Sequence, residues 1–119
     1  MIEILQPDFV YEDERGALFQ LVHEGFKQIN AVYSKAGAVR GNHSHRINRE
    51  AFFVVQGSFE LRCSNSSGSD SRVFHQGDMF LIPPGVSHSF VFLEDTILIG
   101  MYDVGVELGD GTKDIIEAT

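Results

Sequence analysis

The chain has 119 residues, a formal net charge of −8 and 43% hydrophobic residues. This length predicts one domain, residues 1–119, with a substantial core, and the acidity argues against a nucleic-acid backbone as the main partner. No apolar run approaches the roughly 18 residues of a membrane span, and residues 1–7 lack the basic start and apolar stretch of a secretory signal. A single cysteine excludes an internal disulfide, so we expect a cytoplasmic protein.

The first element in the chain is a short alternating segment, residues 1–5. Small β-proteins expose strand edges that can pair with another chain. We therefore expect residues 1–5 to add a strand to the sheet of a partner subunit, and the protein to be a homodimer.

The rest of the chain reads as short strands separated by turns, which predicts an all-β protein. Apolar and β-branched residues alternate with polar ones in several runs of five to seven residues, as strands require. The predicted strands are residues 17–22, 28–34, 51–55, 58–63, 87–93 and 96–102.

Two polar segments predict departures from this pattern. Residues 64–71 are rich in serine and cannot bury a side-chain face, so we expect a flexible loop at a hairpin tip. Residues 103–119 contain several glycines and predict an irregular extension with a short helix near 113–118.

A cluster of metal-ligand types lies within the predicted strands. His43 and His45 are two residues apart, so on a strand their side chains lie on one face and both can reach one ion at about 2.0–2.2 Å. Glu50 follows a short polar turn, and His88 follows the Pro83-Pro84-Gly85 corner. Three imidazoles and a carboxylate suit Zn²⁺, Fe²⁺, Mn²⁺, Ni²⁺ or Co²⁺, and we expect one divalent ion per subunit, with zinc preferred.

The single cysteine and the two other histidines have no further metal-ligand residues at a suitable spacing. Cys63 stands in an alternating strand, which predicts a buried structural thiol. His23 and His75 lie beside turns and predict surface positions.

The spacing of these residues resembles the two motifs of the cupins. Residues 37–57 read Gly-x5-His-x-His-x4-Glu-x6-Gly, similar to the first motif, and residues 77–92 contain Gly-x5-Pro-x-Gly-x2-His, similar to the second. Phe92 stands where the family pattern has asparagine. The resemblance implies a double-stranded β-helix, the cupin jelly-roll barrel of six to eight strands. It also implies four metal ligands, which are His43, His45, Glu50 and His88.

The side-chain pattern of two predicted strands indicates which residues line the space around the expected metal site. Phe90 and Phe92 share a face with His88, which predicts a dry aromatic floor. On residues 28–34, Gln28 and Asn30 share one face and Tyr33 lies on the other. If the polar face points inward, Gln28 and Asn30 are candidate ligand contacts, and if it points to solvent, Tyr33 lies inside.

A narrower resemblance covers residues 13–57. The segments Asp-Glu-Arg-Gly at 13–16, Gln-x-Asn at 28–30 and Arg-Gly-Asn-His-x-His at 40–45 are similar to cupins that act on nucleotide-activated sugars. These are dTDP-4-keto-6-deoxyhexose 3,5-epimerases and 3,4-ketoisomerases, and the zinc cupin half of capsular-polysaccharide reductase/epimerases. The resemblance implies an isomerase or epimerase for a nucleotide-activated keto-deoxy sugar in cell-surface polysaccharide biosynthesis.

The same resemblance implies roles for individual residues. Arg40 is implied as an anion or sugar contact, Arg15 as a contact for the nucleotide phosphates, and His43 or His45 as the proton-transfer group where no metal occupies them. Such a reaction removes a proton next to a carbonyl, which requires a base. If both histidines bind metal, the candidate bases are Tyr33, Glu60, Tyr102 or a hydroxide on the metal.

Two other functions remain open from the residues. Three histidines and a glutamate can hold Fe²⁺ with positions free for O₂, as in a metal-dependent dioxygenase. A cupin can also bind a small sugar or acid without catalysis, since fold alone does not define function.

Overall fold

The computed structural model describes residues 1–117, and these residues form strands and turns with no helix. None of them therefore forms a helix of the length and apolarity that crossing a bilayer needs. The strands are β1 (Glu3–Leu5), β2 (Phe9–Asp13), β3 (Gly16–Gln20), β4 (Gln28–Ser34), β5 (Val39–Ser44), β6 (Glu50–Gln56), β7 (Ser58–Asn65), β8 (Gly68–His75), β9 (Met79–Ile82), β10 (Ser87–Phe92), β11 (Thr96–Tyr102) and β12 (Ile116–Glu117).

The strands form two five-stranded antiparallel sheets that face each other, as in a jelly roll. The first sheet has the order β1-β9-β6-β11-β4 and the second has the order β12-β5-β10-β7-β8. Strands β2 and β3 form a separate two-stranded ribbon. The predicted all-β double-stranded β-helix is confirmed, although strand pairing within residues 1–117 does not join the two large sheets into a closed barrel.

Phenylalanine fills most of the space between the sheets. Phe52 and Phe80 come from the first sheet, and Phe59, Phe74 and Phe90 come from the second. Ring pairs span the gap, with centroid separations of 4.1 Å for Phe74 and Phe80, and 5.0 Å for Phe52 and Phe90. Aromatic pairs at such separations contribute roughly 0.5–1.5 kcal/mol beyond their buried area, so the rings hold the two sheets face to face.

A second apolar cluster lies on the outer face of the first sheet. Phe53, Met79 and Met101 are buried there, because the segment between β3 and β4 packs over them. The ribbon contributes too, with the Phe19 ring 5.1 Å from the Phe53 ring. This cover explains why β6 is buried on both faces over residues 50–54.

The predicted strands agree closely with the observed ones. Residues 28–34 and 96–102 match β4 and β11 at both ends, and the other four predicted strands match β3, β6, β7 and β10 within two residues. These strands carry an apolar face toward a core, which is the pattern that the sequence displays.

The structure differs from the predictions for two polar segments. Residues 64–71 do contain the tip of a hairpin, but they are mostly strand and not a loop, because β7 continues to Asn65, β8 begins at Gly68, and only two residues form the turn. Residues 113–117 contain a β-bridge at Lys113 and strand β12, so the short helix is absent there, and the remainder of that predicted helix lies outside the described residues.

The amino-terminal segment also differs from the prediction. Residues 3–5 pair antiparallel with Met79–Leu81 of the same chain, so they complete their own first sheet. This segment is therefore already paired within the subunit.

The turn between β6 and β7 depends on Gly57, which has φ +99°. A Cβ at Gly57 would lie 2.6 Å from the Asp95 carbonyl oxygen and 2.8 Å from Thr96 Cα. Gly57→Ala should lower the free energy of unfolding by about 2–4 kcal/mol, which combines the strain of positive φ with overpacking. Urea unfolding followed by circular dichroism measures this loss.

Gly77→Ala is the matched control, because Gly77 has φ +89° and no atom within 4 Å of an added Cβ. The Gly77→Ala variant should lose only the part of the free energy of unfolding that comes from the strain of positive φ, about 1–2 kcal/mol. Equal losses in the two variants would contradict the steric argument.

Candidate metal centre

The pairing of β5 with β10 brings the first two histidines together. His43 and His88 are direct cross-strand partners, and their ring centroids are 4.9 Å apart. The register shifts between His88 and Ser89, opposite Gly41, which has φ +93°. A Cβ at Gly41 would lie 2.8 Å from the His88 carbonyl oxygen, so glycine lets β5 approach β10 this closely.

The turn after β5 brings in the other two groups. His45 follows the last residue of β5, and Glu50 is the first residue of β6, in the opposite sheet. The Gly85 amide in the Pro83-Pro84-Gly85 corner donates to the His45 carbonyl oxygen at 2.8 Å, which ties the two motifs together. Glu50 lies opposite Tyr102 on β11, so the site lies where both sheets contribute.

The predicted ligand atoms converge. Each of the three histidines, His43, His45 and His88, offers a nitrogen, and these nitrogens lie within 4.8 Å of one another. Glu50 Oε1 is 3.2 Å from His45 Nε2 and 3.4 Å from His88 Nε2. The side chains of His45, His88 and Glu50 are at most 6% exposed, whereas His43 is half-buried.

Backbone carbonyl groups fix the orientation of two imidazoles. His45 Nδ1 donates to the Asp114 carbonyl oxygen at 2.5 Å, and His88 Nδ1 donates to the Val86 carbonyl oxygen at 3.1 Å. A carbonyl oxygen only accepts, so each Nδ1 carries a proton. In the neutral ring the Nε2 lone pair then points to the cluster, as in histidines that bind metals.

The donor set fits a divalent ion. His45 Nε2 and Glu50 Oε1 are buried and have no hydrogen-bond partner. Leaving buried polar atoms unpaired costs roughly 1–3 kcal/mol each, and a metal ion would satisfy both. Imidazole and carboxylate ligands suit Zn²⁺ and its first-row neighbours, so the cluster could hold such an ion.

Burial and neighbouring charges shift the pKa values in the cluster. Burial opposes ionisation of Glu50, but the imidazoles of His45 and His88 outweigh it and lower the Glu50 pKa to about 2. Burial and the neighbouring imidazoles of His88 and His45 lower the pKa of His43. Burial opposes protonation of His45, yet Glu50 and Asp114 raise its pKa. Burial and the Glu50 carboxylate raise the pKa of Tyr102 well above its usual range.

Two buried polar residues of the site were missed by the sequence analysis. Asn48 is 0% exposed and Asp114 is 4% exposed. Asn48 Nδ2 donates to the Asp114 carboxylate and to the Gly105 carbonyl oxygen, both at 2.9 Å. The two residues are 66 positions apart in a polar turn and an irregular tail, so no local pattern marks them.

The structure resolves which face of β4 points inward. Ser34 is buried while Tyr33 is 70% exposed, so the polar face that includes Gln28 and Asn30 points inward. Gln28 Oε1 accepts from the Val106 amide at 2.8 Å, and Asn30 is exposed to solvent. Tyr33 therefore lies on the outer face of the first sheet, away from the histidines.

Phe90 and Phe92 follow His88 on the same face of β10 and belong to the core that adjoins the cluster. The Phe90 ring meets the His88 ring edge-on at 6.2 Å, and Phe92 stacks on Phe90 at 5.9 Å. Phe92 is 2% exposed. Phe90 thus lies against His88, and Phe92 supports Phe90 from the core.

The predicted arginines lie at different distances from the cluster. Arg40 is the cross-strand partner of Phe90 and is exposed, and its guanidinium donates to Ser34 Oγ at 2.7 Å and to the Tyr33 carbonyl oxygen at 3.1 Å. Arg15 is in the β2–β3 turn, where it pairs with Asp13 and is 81% exposed. The structure brings Arg40 to the rim of the inner face and leaves Arg15 outside it.

Other predicted positions are as follows. Cys63 is buried opposite His88 on β7, and burial raises its thiol pKa to about 11, which supports a structural thiol. His23 pairs with Asp8, and His75 is 69% exposed, so both are surface residues as predicted. Glu60 accepts from Arg62 Nε at 2.6 Å and lies outside the cluster.

An open cavity of about 550 Å³ adjoins His88. Most of its lining side chains belong to the outer face of the second sheet and are polar. They are Asn42, Arg62, Ser64, Ser69, Ser71, Ser87 and Ser89. Because the imidazole of His88 points to the inner face, β10 separates this cavity from the cluster of His43, His45, Glu50 and His88.

A family model for the cupin domain matches residues 32–103, more than half of the chain. The chain therefore belongs to the cupin family, as its two motifs indicate. No curated protein matches the chain significantly.

Solved structures with the same fold include enzymes of sugar nucleotides. A 3,4-ketoisomerase from Helicobacter canadensis is 20% identical over 97% of this chain and 89% of its own, with a TM-score of 0.79. A variant 3,4-ketoisomerase from Thermoanaerobacterium thermosaccharolyticum, in complex with TDP-4-keto-6-deoxyglucose, is 18% identical over 86% and 79%, with a TM-score of 0.74. A dTDP-4-dehydrorhamnose 3,5-epimerase from Sulfolobus tokodaii is 25% identical over 85% and 69%, with a TM-score of 0.71. These likenesses show the shared fold.

Proposed function

We propose that this chain is a single-domain, metal-binding cupin enzyme that isomerises or epimerises a nucleotide-activated keto-deoxy sugar, in the cytoplasm, for cell-surface polysaccharide synthesis. One observation carries the proposal. A buried cluster of His45, Glu50 and His88 with unpartnered donor atoms lies in a fold shared with sugar-nucleotide ketoisomerases and epimerases. The buried free thiol of Cys63 is consistent with a reducing compartment.

His45, Glu50 and His88 are the residues that would hold the ion most firmly. All three are buried, and both imidazoles approach the same carboxylate oxygen. Three protein ligands leave a position open, as in catalytic zinc sites. When bound, a divalent ion supplies a Lewis acid that polarises a carbonyl group of the substrate.

His43 is the proposed base. The sequence predicts it as a fourth ligand, and its nitrogen is close enough for that role. It is nevertheless the most exposed group of the cluster, and its lowered pKa keeps the ring neutral near pH 7, with a lone pair ready to accept a proton. It also occupies the histidine position of the Arg-Gly-x-His segment at residues 40–43.

Tyr102 is the proposed proton donor. Its ring lies edge-on to His45 at a centroid distance of 5.3 Å, opposite Glu50 on the neighbouring strand. The raised pKa of Tyr102 keeps its phenol protonated, so the phenol is available as a donor and not as a base, although the same shift makes it a weak acid. Tyr33 and Glu60 lie outside the cluster, which favours His43 over either as the base.

The residues at the rim of the inner face are the proposed substrate contacts. Arg40 is the cross-strand partner of Phe90, so the two side chains lie on the same face of the second sheet. Its guanidinium lies beside Ser34, where it can bind a diphosphate. Asn30 is on the inward face of β4 and is accessible. We assign the nucleotide to Arg40, with Asn30, Gln28 and the Phe90–Phe92 floor on the sugar side and Arg15 as an outer contact.

A homodimer fits the exposed apolar surface. The ribbon exposes Phe9 (50%), Tyr11 (53%) and Leu18 (56%), and the outer face of the first sheet exposes Ile29 (61%) and Tyr33 (70%). Exposed apolar side chains in such numbers are typical of subunit contacts. We propose that a second copy covers them, which would also bring Tyr33 and Arg15 into a subunit interface.

Metal content tests the centre. Protein purified without chelators should carry about one divalent ion per subunit, and His88→Ala should lose most of it, because a buried ligand is removed. The matched control is His75→Ala, an exposed histidine outside the cluster that should keep the ion. Inductively coupled plasma mass spectrometry on dialysed samples gives the content.

Glu50→Gln provides a second variant with little change in shape, in case His88→Ala fails to fold. Retention of the ion by both folded variants would contradict the proposed centre. Bound iron together with oxygen uptake would instead favour a dioxygenase.

His43→Asn separates the roles of base and ligand. If His43 takes the proton, the variant should keep the metal and lose about 10²–10⁴-fold in kcat for TDP-4-keto-6-deoxyglucose, the size of effect expected for general base catalysis. Nuclear magnetic resonance of the sugar product gives the rate. Loss of metal along with activity would show that His43 is the fourth ligand.

Nucleotide binding tests the substrate class. TDP at about a hundredfold excess over its Kd should stabilise the protein by about 2.7 kcal/mol, which raises the Tm by several degrees. Arg40→Ala should abolish this shift, and Arg62→Ala, on the outer face of β7, should preserve it. A shift lost only in Arg62→Ala would place the nucleotide in the outer cavity, and no shift in the native protein would contradict nucleotide recognition.

A further inference from the structure

The carboxyl-terminal segment, residues 103–117, forms a strap across the turn that carries the ligands. Within the strap, residues 106–114 make a small hairpin, closed by hydrogen bonds from the Asp114 amide to the Val106 carbonyl oxygen and from the Leu108 amide to the Thr112 carbonyl oxygen. Strand β12 then pairs with His43 and Ser44 at the end of β5. The strap therefore contacts the ligand strand directly.

Asp114 lies at the base of that hairpin and makes an unusually full set of contacts for one carboxylate. Its Oδ1 accepts from the Arg46 amide at 2.8 Å, and its Oδ2 accepts from the Ile47 and Asn48 amides at 2.9 Å each. Asn48 Nδ2 supplies a fourth hydrogen bond at 2.9 Å. Three consecutive amides of the turn between His45 and Glu50 are thus held by one side chain.

The same residue reaches a candidate ligand through its backbone. The Asp114 carbonyl oxygen accepts the proton of His45 Nδ1 at 2.5 Å, so His45 Nε2 is directed at Glu50. A free neutral imidazole prefers the opposite tautomer, with the proton on Nε2, which would block that nitrogen as a ligand. The position of the Asp114 backbone therefore decides which nitrogen of His45 faces the cluster.

We propose that Asp114 is the positioning residue of the centre: its carboxylate docks the strap on the 46–48 turn, and its carbonyl oxygen thereby sets the tautomer of His45. This inference rests on the proposed metal-binding function for its role in the centre, but the tautomer itself is a property of the metal-free chain. Asp114 touches neither substrate nor ion, and it acts through His45.

Asp114→Asn is the variant that tests this role. Asparagine keeps the size of the side chain but replaces one accepting oxygen with an NH2 group that only donates. The Arg46 hydrogen bond is lost if that group takes the Oδ1 position, and the other three are lost if it takes the Oδ2 position. The structure supplies a matched control in Asp103→Asn. Asp103 is in the same strap and also accepts from an amide of the same turn, that of Arg49 at 2.9 Å, but it does not contact His45.

Two measurements separate positioning from general support. Nitrogen-15 nuclear magnetic resonance of the metal-free protein at about pH 9, well above the ordinary histidine pKa of about 6.5, should show His45 protonated on Nδ1 in the native chain and in Asp103→Asn. In Asp114→Asn the proton should move largely to Nε2. Zinc affinity, measured by competition with a chelator, should fall about 10–100-fold in Asp114→Asn and by less than about threefold in Asp103→Asn.

Several outcomes would overturn the inference. One is an unchanged His45 tautomer in a folded Asp114→Asn variant, and another is an equal loss of zinc affinity in the two aspartate variants. If Asp114→Asn fails to fold, Asn48→Ser is the second variant: it removes the Asn48 Nδ2 bonds to the Asp114 carboxylate and the Gly105 carbonyl oxygen and the Oδ1 bonds to the amides of residues 104 and 105, but it leaves the Asp114 carboxylate in place. This variant should shift the tautomer partially, and no shift in the folded variant would also overturn the inference. If the native chain binds no metal but shows the Nδ1 tautomer and its loss in Asp114→Asn, the metal proposal fails while the positioning by Asp114 stands.

Discussion

The close pairing of β5 with β10 is the contact on which the site depends. It places His43 directly opposite His88, and it requires a glycine at position 41 because a side chain there would strike the His88 carbonyl oxygen. Once the two strands are paired, the turn after β5 can reach the opposite sheet, where Glu50 begins β6. His88 then converges with three groups from residues 43–50, and no helix or long loop among the described residues is needed to carry them.

The surroundings of the cluster determine its chemistry as much as its four side chains do. The phenylalanine core below it excludes water, so electrostatic interactions among the four groups are stronger than they would be at the surface. Burial opposes the negative charge of Glu50, and the adjoining imidazoles of His45 and His88 outweigh burial and lower its pKa to about 2. Burial and the Glu50 carboxylate keep Tyr102 protonated, whereas burial and the neighbouring imidazoles lower the pKa of His43 against the effect of Glu50. One arrangement thus places an anionic carboxylate, a neutral imidazole and a protonated phenol within one small volume.

Sequence reasoning succeeded where a local rule governs the outcome. Strands β4 and β11 were predicted at both ends because each has one face turned to a core, and the convergence of His43, His45, Glu50 and His88 was predicted because strand periodicity and fixed motif spacing place them together, while their role as ligands stays a prediction. It failed for residues 64–71, since an exposed hairpin is held by backbone pairing and needs no apolar face. It also missed Asn48 and Asp114. Their contact joins residues 66 positions apart, and nothing in either neighbourhood signals the other.

The strap has a consequence for how the protein is made. The strands at one edge of each sheet pair with strands far away in the chain: β1 pairs with β9, and β12 pairs with β5. Non-local pairing of this kind makes folding slow, because long segments must be ordered before their contacts form. The turn that holds His45 and Glu50 is stabilised by a residue synthesised 66 positions after Asn48. The contacts that orient His45 therefore form only once Asp114 is present, after the chain that carries His43, Glu50 and His88 has already been synthesised.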